Sequence, residues 1–245
     1  MSTSNSGAVT LVIMATDQDW EEQARNWITW ARTPGLDSYW RYRPALFELV
    51  PAPGESTLDL GCGEGRVSRD LAERGHRVTG VDVSPTLLEA ARAAHPEGTY
   101  VTADAADLHF PDHSFDLVVA YNCLMDVEDL QCCVREATRV LNPGGKLVLS
   151  IVHPANRDNI IGEGDGAAFV VDGAYFESTH SYQKTERDGV RMVFSGYQRP
   201  FSDYTRALED AGLLIEAVRE PIATRADGST HKLPWHLWMR TVKPA

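Results

Sequence analysis

A chain of 245 residues with 43% hydrophobic and 24% charged residues has apolar material enough for one large domain with an elaborated lid. Its formal net charge of −12 argues against a phosphate backbone as partner, and hence against nucleic acid, since the basic residues are scattered among acids, as where Lys184 and Arg187 alternate with Glu186 and Asp188. Cys62, Cys123, Cys132 and Cys133 form no CxxC pair and read as reduced thiols, while Val9–Ala15 is too short for a spanning helix or an ordinary signal core, so a cytoplasmic protein with no membrane contact is expected.

Residues 1–16 read as a disordered or extended N-terminus and residues 17–54 as a helical cap. Asp17 or Asp19 is predicted to cap a helix whose Trp20, Ala24, Trp27 and Ala31 recur on one face, and Thr33-Pro34-Gly35 ends it. Pro44 is predicted in the first turn of a second helix through Ala45, Leu46, Leu49 and Val50, after which Pro51–Gly54 is a linker. From residue 55 to 245 strand and helix alternate: strand 57–61, a helix closed by Gly75, strand Val78–Val83, helix 85–94 behind Ser84-Pro85, strand Tyr100–Ala103 and strand Phe115–Tyr121. A helix carrying Leu130, Cys133, Val134, Ala137, Val140 and Leu141 stops at Asn142-Pro143-Gly144-Gly145, and Lys146–Val152 is the fifth strand. Near-continuous apolar strands separated by helices imply a parallel sheet covered on both faces.

After His153-Pro154 the alternation breaks. Residues 155–200, with the glycine and acid cluster Gly162–Gly166 and short apolar runs at Phe169–Val171 and Met192–Phe194, read as an inserted lid with β-hairpin character. Ser202 is predicted to cap a helix through Tyr204, Ala207, Leu208 and Ala211, and strands Leu213–Val218 and Trp235–Val242 finish the sheet.

The chemistry begins at Thr57-Leu58-Asp59-Leu60-Gly61-Cys62-Gly63-Glu64-Gly65, an apolar strand running through three glycines into a helix. Such a turn lets a ligand approach main-chain atoms at the carboxyl end of the first strand of an open α/β sheet. The Gly61-x-Gly63-x-Gly65 spacing is one residue tighter than the G-x-G-x-x-G of nicotinamide sites, which disfavours an NAD-dependent dehydrogenase. Asp82 ends the second strand 21 residues past Gly61, where a carboxylate can accept hydrogen bonds from both ribose hydroxyls. Together they indicate adenosine before any particular reaction.

With Val81-Asp82-Val83-Ser84, Ala103-Asp104-Ala105, Phe115-Asp116-Leu117-Val118 and Leu141–Leu147 in order behind that turn, the chain resembles the class I S-adenosylmethionine-dependent methyltransferases, of the small-molecule, type 11-like kind, over roughly residues 40–220. The resemblance implies a Rossmann-like α/β fold: a mostly parallel seven-stranded sheet with helices on both faces, the N-terminal helical cap, and the lid after the fifth strand. It implies S-adenosylmethionine as cofactor, S-adenosylhomocysteine as product, and no metal. Gly61, Cys62 and Gly63 would pass under the methionine and ribose, and Asp59 would orient the turn and reach the methionyl ammonium. Asp82 would hold the ribose hydroxyls, with Val83 against the adenine face. Asp104 and Ala105 would meet the adenine edge, and Tyr121 and Asn122 would lie beside the methionine and its methyl. The bland alternatives are a turn former for Asp82, a local cap for Asp104 and a purely structural Asp59. Tyr197–Tyr204 resembles the entry to the last helix in one group of these enzymes; Gln198 stands where that group often has histidine, so no acid–base role is read for it.

A phenol or alcohol acceptor benefits from a general base, for which His153, leaving the fifth strand, comes first and His180 in the lid second. Trp20 and Trp27 read as core. Trp30, Tyr39, Trp40 and Arg43 are candidates to cover the cofactor or an aromatic acceptor, and Arg32 or Arg43 to pair with the cofactor carboxylate. Phe169, Tyr175, Phe176, Tyr197 and Phe201 would enclose an apolar acceptor pocket. The expectation is methyl transfer to oxygen or nitrogen, with carbon also open, of a small metabolite, aromatic or specialised in kind, by a monomer or homodimer. The rival from another class is a non-catalytic binder that keeps the cofactor fold as sensor or scaffold.

Overall fold

The structure is a computed structural model that describes residues 16–156, 160–161, 168–169, 175–222, 230 and 233–245. The expectations for residues 1–15, for the Gly162–Gly166 cluster and for the Phe169 side chain lie outside the described residues.

Helix α1 (Thr16–Arg32) buries Ala24, Trp30 and Ala31 and starts earlier than predicted, so Asp17 and Asp19 fall inside its first turn rather than before it. Helix α2 (Tyr39–Leu49) also starts early, leaving Pro44 in its interior instead of its first turn. The cause is Asp37, whose Oδ1 accepts from the Tyr39 N–H at 2.7 Å and satisfies a first-turn donor well before the proline. Tyr39, Tyr42, Leu46 and Leu49 form its buried face.

Strands β1 (Thr57–Leu60), β2 (Val78–Asp82), β3 (Thr99–Thr102), β4 (Phe115–Tyr121) and β5 (Leu141–Val152) alternate with helices α3 (Arg66–Glu73), α4 (Pro85–Ala94) and α5 (Leu130–Val140). Ser84 and Asp129 cap α4 and α5, accepting from Leu87 N at 3.2 Å and Cys132 N at 2.8 Å. The fifth strand begins at Leu141, earlier than expected: Leu141 pairs with Phe115 and Lys146 with Leu117, so Asn142–Gly145 bulge out of a strand that continues on both sides. Helix α6 (Phe201–Asp210) follows Pro200 with no side-chain cap, so Ser202 lies inside its first turn rather than capping it. Strands β10 (Leu214–Arg219) and β11 (His236–Val242) close the sheet.

The seven-stranded order is β10-β11-β5-β4-β1-β2-β3, parallel from β5 to β3, with β11 and β10 antiparallel. α5 and α6 cover Leu58, Leu60, Val118 and Leu147 on one face, while α2 and α3 cover Leu117, Val119, Val148 and Trp238 on the other. The strand order reverses between β1 and β4, where the carboxyl ends open a crevice. The lid inserted after β5 holds a short pair, β6 (Ile160–Ile161) with β7 (Ala168–Phe169), and a longer hairpin, β8 (Thr179–Arg187) with β9 (Val190–Gln198), whose Ser181, Gln183, Phe194 and Gly196 line the crevice. Asp188 (φ 50°) and Gly189 (φ 76°) turn that hairpin in two residues, and both positive φ values match the right-handed twist of the strands.

Candidate active site

Gly61 has φ 67°, and a Cβ there would sit 2.4 Å from Cys123 Cβ, so the turn after β1 packs directly on the segment leaving β4. Asp82, at the end of β2, accepts from the Gly63 N–H at 2.8 Å through Oδ2 and from the Ser84 N–H at 2.9 Å through Oδ1. Its carboxylate thereby ties the glycine turn to the start of α4. Above this unit lies a cavity of about 600 Å³ lined by Gly61, Cys62, Gly63, Asp82 and Val83, by Asp104 and Ala105 after β3, and by Tyr121 and Asn122 after β4. Asp104 Oδ1 also accepts from Ala106 N at 2.8 Å, so the capping role exists beside its place in the wall. The strand-end carboxylate and a glycine turn with Gly63 open toward the cavity suit a ribose and the chain it carries.

Asp59 is 1% exposed, bonded by the Ser68 hydroxyl at 2.6 Å, and stands behind the cavity lining, so it braces the turn from beneath, which is the orienting half of its expected role. Burial pushes its carboxyl up to about 7, against the opposing Ser68 hydrogen bond. Burial also pushes the Cys62 and Cys123 thiols well up, which keeps them protonated and inert.

Helix α1 roofs the cavity. Glu21 accepts from the Ser84 hydroxyl and from Thr86 Oγ1 at 2.5 Å, Asp19 accepts from Ser195 Oγ at 2.6 Å, and Gln23 Oε1 accepts from Val193 N at 3.3 Å. The same helix therefore grips both α4 and the lid strand β9. Trp20 and Trp27, expected in the core, are half-buried and line the cavity, packed edge to face 5.5 Å apart. Trp30, Trp40 and Tyr197 also line it, Trp40 with its Nε1–H donating to Ala31 O at 3.0 Å.

Several expected wall residues stand elsewhere. Arg43 pairs with Asp70 at 3.0 Å and Arg32 with Glu64 at 2.9 Å, so neither guanidinium reaches the cavity. Tyr39 is fully buried and donates to Asp70. The Tyr175 hydroxyl accepts from Phe201 N at 3.2 Å outside the cavity wall, Phe201 packs against the main core, and Phe176 is 82% exposed. Of the arginines that line the cavity, Arg41, Arg66, Arg187 and Arg199, the one beside the glycine turn is Arg66, which sequence reasoning missed. It is 7% exposed, its Cζ stands 4.9 Å from the Trp27 ring centroid and 4.7 Å from that of Tyr39, and its Nη1 lies 2.8 Å from Asp37 Oδ1. An arginine in the first turn of a helix opposes the helix dipole, which was the signal available in the sequence.

Of the two candidate bases, His153 lines the cavity and His180 does not. His153 Nδ1 accepts from Ala155 N at 3.1 Å, so Nε2 carries the proton and donates to Glu220 at 2.9 Å. His180 is held outside by the rings of Tyr182 and Tyr197, 4.5 and 4.7 Å away, and by Ser195. The wall also holds Asp126, whose carboxyl is pushed well above the usual range by burial, against the opposing Trp20 hydrogen bond and Arg199 charge. Among the described residues no cluster of His, Cys, Asp and Glu is placed to hold a metal ion, and no helix is long and apolar enough to cross a membrane.

Residues 58–149 match a protein family described as a methyltransferase domain. Over 121 residues the chain is 40% identical to a demethylmenaquinone methyltransferase of Tropheryma whipplei (strain Twist), which covers 48% of this chain and 50% of that one. A malonyl-[acyl-carrier protein] O-methyltransferase of Serratia marcescens is 37% identical over 98 residues, 40% of this chain and 38% of that one. The chain spans about half the length of the curated relatives it matches. The crystal structure of an S-adenosylmethionine-dependent methyltransferase from Mesorhizobium loti superposes with a TM-score of 0.67 at 29% identity, covering 82% of this chain and 97% of that one. With the glycine turn, the strand-end carboxylate and the seven-stranded order in agreement, residues 58–149 carry a methyltransferase domain of the class I, S-adenosylmethionine-dependent kind.

Proposed function

We propose that this chain transfers a methyl group from S-adenosylmethionine to an oxygen or nitrogen atom of a small metabolite, aromatic or specialised in kind, by in-line displacement; a carbon acceptor is the third form of the same reaction. The observation that carries the reading is the single cavity that runs from the Gly61 turn and Asp82 to walls of tryptophan and tyrosine. S-adenosylmethionine, when bound, supplies an already electrophilic methyl on a sulfonium, so the residues need chiefly to align the acceptor and exclude water.

In this reading the main chain at Gly61–Gly63 supports the methionine and ribose, Asp82 accepts from the ribose hydroxyls, and Val83, Asp104 and Ala105 meet the adenine. Tyr121 and Asn122 flank the methyl. Arg66 takes the methionyl carboxylate in place of Arg32 and Arg43, whose charges are engaged by Glu64 and Asp70. The aromatic roof of Trp20, Trp27, Trp30 and Trp40 suits both a cationic donor and a planar acceptor. His153 is the base for a hydroxyl acceptor: with its proton fixed on Nε2 by Glu220, Nδ1 is the basic atom, and an incoming hydroxyl would replace the Ala155 N–H there.

Calorimetry with S-adenosylhomocysteine and with NAD, followed by transfer of labelled methyl to a panel of phenols and amines, tests the reading. Tight binding of S-adenosylhomocysteine, no response to NAD, and labelled product are expected. Binding without transfer to any acceptor would leave the non-catalytic sensor, and a response to NAD alone would overturn the assignment.

A further inference from the structure

The loop that leaves β4 brings a carboxyl group over the glycine turn. Asp126 is half-buried and lines the cavity. Its N–H donates to Cys123 O at 2.9 Å, and Cys123 is the residue whose side chain packs on Gly61. From the roof, the Trp20 indole is a hydrogen-bond donor to the Asp126 carboxyl. Trp20 packs on Trp27, whose Nε1 would lie 3.4 Å from a Cβ on Gly63. From the lid, a Cβ on Gly196 would sit 2.7 Å from Asp126 Oδ1, so the lid main chain closes directly against this oxygen. Roof, lid and glycine turn therefore converge on Asp126.

The groups facing it supply little positive charge. Arg199, just after β9, directs its Nη atoms to Leu124, Val127 and Glu128 main-chain oxygens at 3.4, 2.5 and 2.8 Å, and so holds the loop on either side of Asp126. Asp82, at the end of β2, adds negative charge. Cys123 beside it and Tyr204 on α6 are pushed up by burial and stay uncharged. On α1, Asp19 is engaged by Ser195, and Glu21 by Ser84 and Thr86. Burial outweighs the Trp20 hydrogen bond and the Arg199 charge, so the Asp126 carboxyl keeps its proton until a cation comes near. S-adenosylmethionine and S-adenosylhomocysteine differ by one methyl and one positive charge, because the methionyl ammonium and carboxylate cancel in both. The sulfur joins methionine to ribose, so laying both along Gly61–Gly63 lays the sulfur there too.

Resting on the methyltransferase reading above, we propose that Asp126 is the carboxylate counterpart of the sulfonium, a specificity residue by which the site distinguishes S-adenosylmethionine from S-adenosylhomocysteine. A nearby positive charge favours the ionised carboxyl, so a proton leaves Asp126 when S-adenosylmethionine enters and stays when S-adenosylhomocysteine does.

Calorimetric titration in two buffers of different ionisation enthalpy counts those protons. Binding of S-adenosylhomocysteine by the unaltered protein is measured first and judges the methyltransferase reading by itself; if it fails, this inference falls with that reading. At about pH 7, S-adenosylmethionine should release more protons than S-adenosylhomocysteine, by up to about one. Asp126→Asn keeps the size and the acceptor for Trp20 but cannot ionise. It should abolish that difference, weaken S-adenosylmethionine by about fivefold or more, and leave S-adenosylhomocysteine within about twofold, which also shows that the variant is folded. His153 lines the same cavity and is retained in the variant, so a proton difference that survives Asp126→Asn would assign the release to His153. Equal weakening of the two ligands would place Asp126 at the methionyl ammonium. Unchanged affinity for both, or equal proton release in the unaltered protein, would make it a wall residue only. Each of these results overturns the proposal while the first titration leaves the methyltransferase reading standing.

Discussion

The Gly63 N–H donates to Asp82 Oδ2 at 2.8 Å, so the turn after β1 and the end of β2 are a single hydrogen-bonded unit. The other oxygen of the same carboxylate accepts from Ser84, whose hydroxyl donates to Glu21 on α1. One side chain therefore links the glycine turn, the start of α4 and, through Ser84, the roof of the cavity.

Asp82→Ala is expected to weaken S-adenosylhomocysteine by about 1–3 kcal/mol, roughly 5- to 150-fold in Kd. Calorimetric titration measures it, with Asp82→Asn intermediate because it keeps an acceptor oxygen. An affinity equal to that of the unaltered protein would mean that the carboxylate organises the turn but meets no ligand.

Gly61→Ala introduces a Cβ 2.4 Å from that of Cys123 at φ 67°, so both a clash and a backbone penalty are expected. A loss of about 2–4 kcal/mol in urea unfolding follows from overpacking plus strain. Adding Cys123→Gly should recover the part due to the clash, and no recovery would show that the backbone conformation alone dominates.

Asp59 ties stability to pH. Its carboxyl is raised from 3.8 to about 7 by burial, so between these values the folded chain keeps a proton that the unfolded chain has lost. Its contribution is fully present below the unfolded value and declines as pH rises toward the folded one, then stays level. Asp59→Asn cannot ionise and still accepts from Ser68. It should therefore gain stability relative to the unaltered protein progressively from about pH 4 to about pH 7 and keep that gain above, as read from denaturant midpoints across that range. A difference that is constant with pH would mean that Asp59 is ionised throughout.

His153→Ala is expected to lower labelled-methyl transfer by about tenfold or more, with little change in S-adenosylhomocysteine affinity. His180→Ala should leave transfer within about twofold, since its ring is held outside the cavity by Tyr182 and Tyr197. The reverse ranking would move the base into the lid.

The donor half of the site was legible because its signals are local. Apolar strands, Ser84-Pro85 at a helix start and glycines at a strand end each declare themselves within a few residues. The wall where α2 meets β11 was not, because its members meet only in the fold: Ser38 and His236 are 198 positions apart when they join. Arg66 was passed over for Arg32 and Arg43 because a sequence does not say which arginine the buried carboxylates of Glu64 and Asp70 will engage. The Asp188-Gly189 turn was a readable hairpin signal, but a hairpin alone does not reveal that β9 will be gripped by Asp19 and Gln23.

The lid is also anchored beneath the roof, where Tyr197 N donates to Met125 O at 2.7 Å. That attachment joins main chain to main chain and is indifferent to the side chains of the two strands. Ser195, bonded to Asp19, and Gly196, where a Cβ would sit 2.7 Å from Asp126 Oδ1, are held to their residue types, whereas the exposed positions of the hairpin carry no such constraint. Exchanging those exposed side chains would leave the main-chain attachment of Tyr197 to Met125, and with it the seat of the hairpin over the cavity, unchanged.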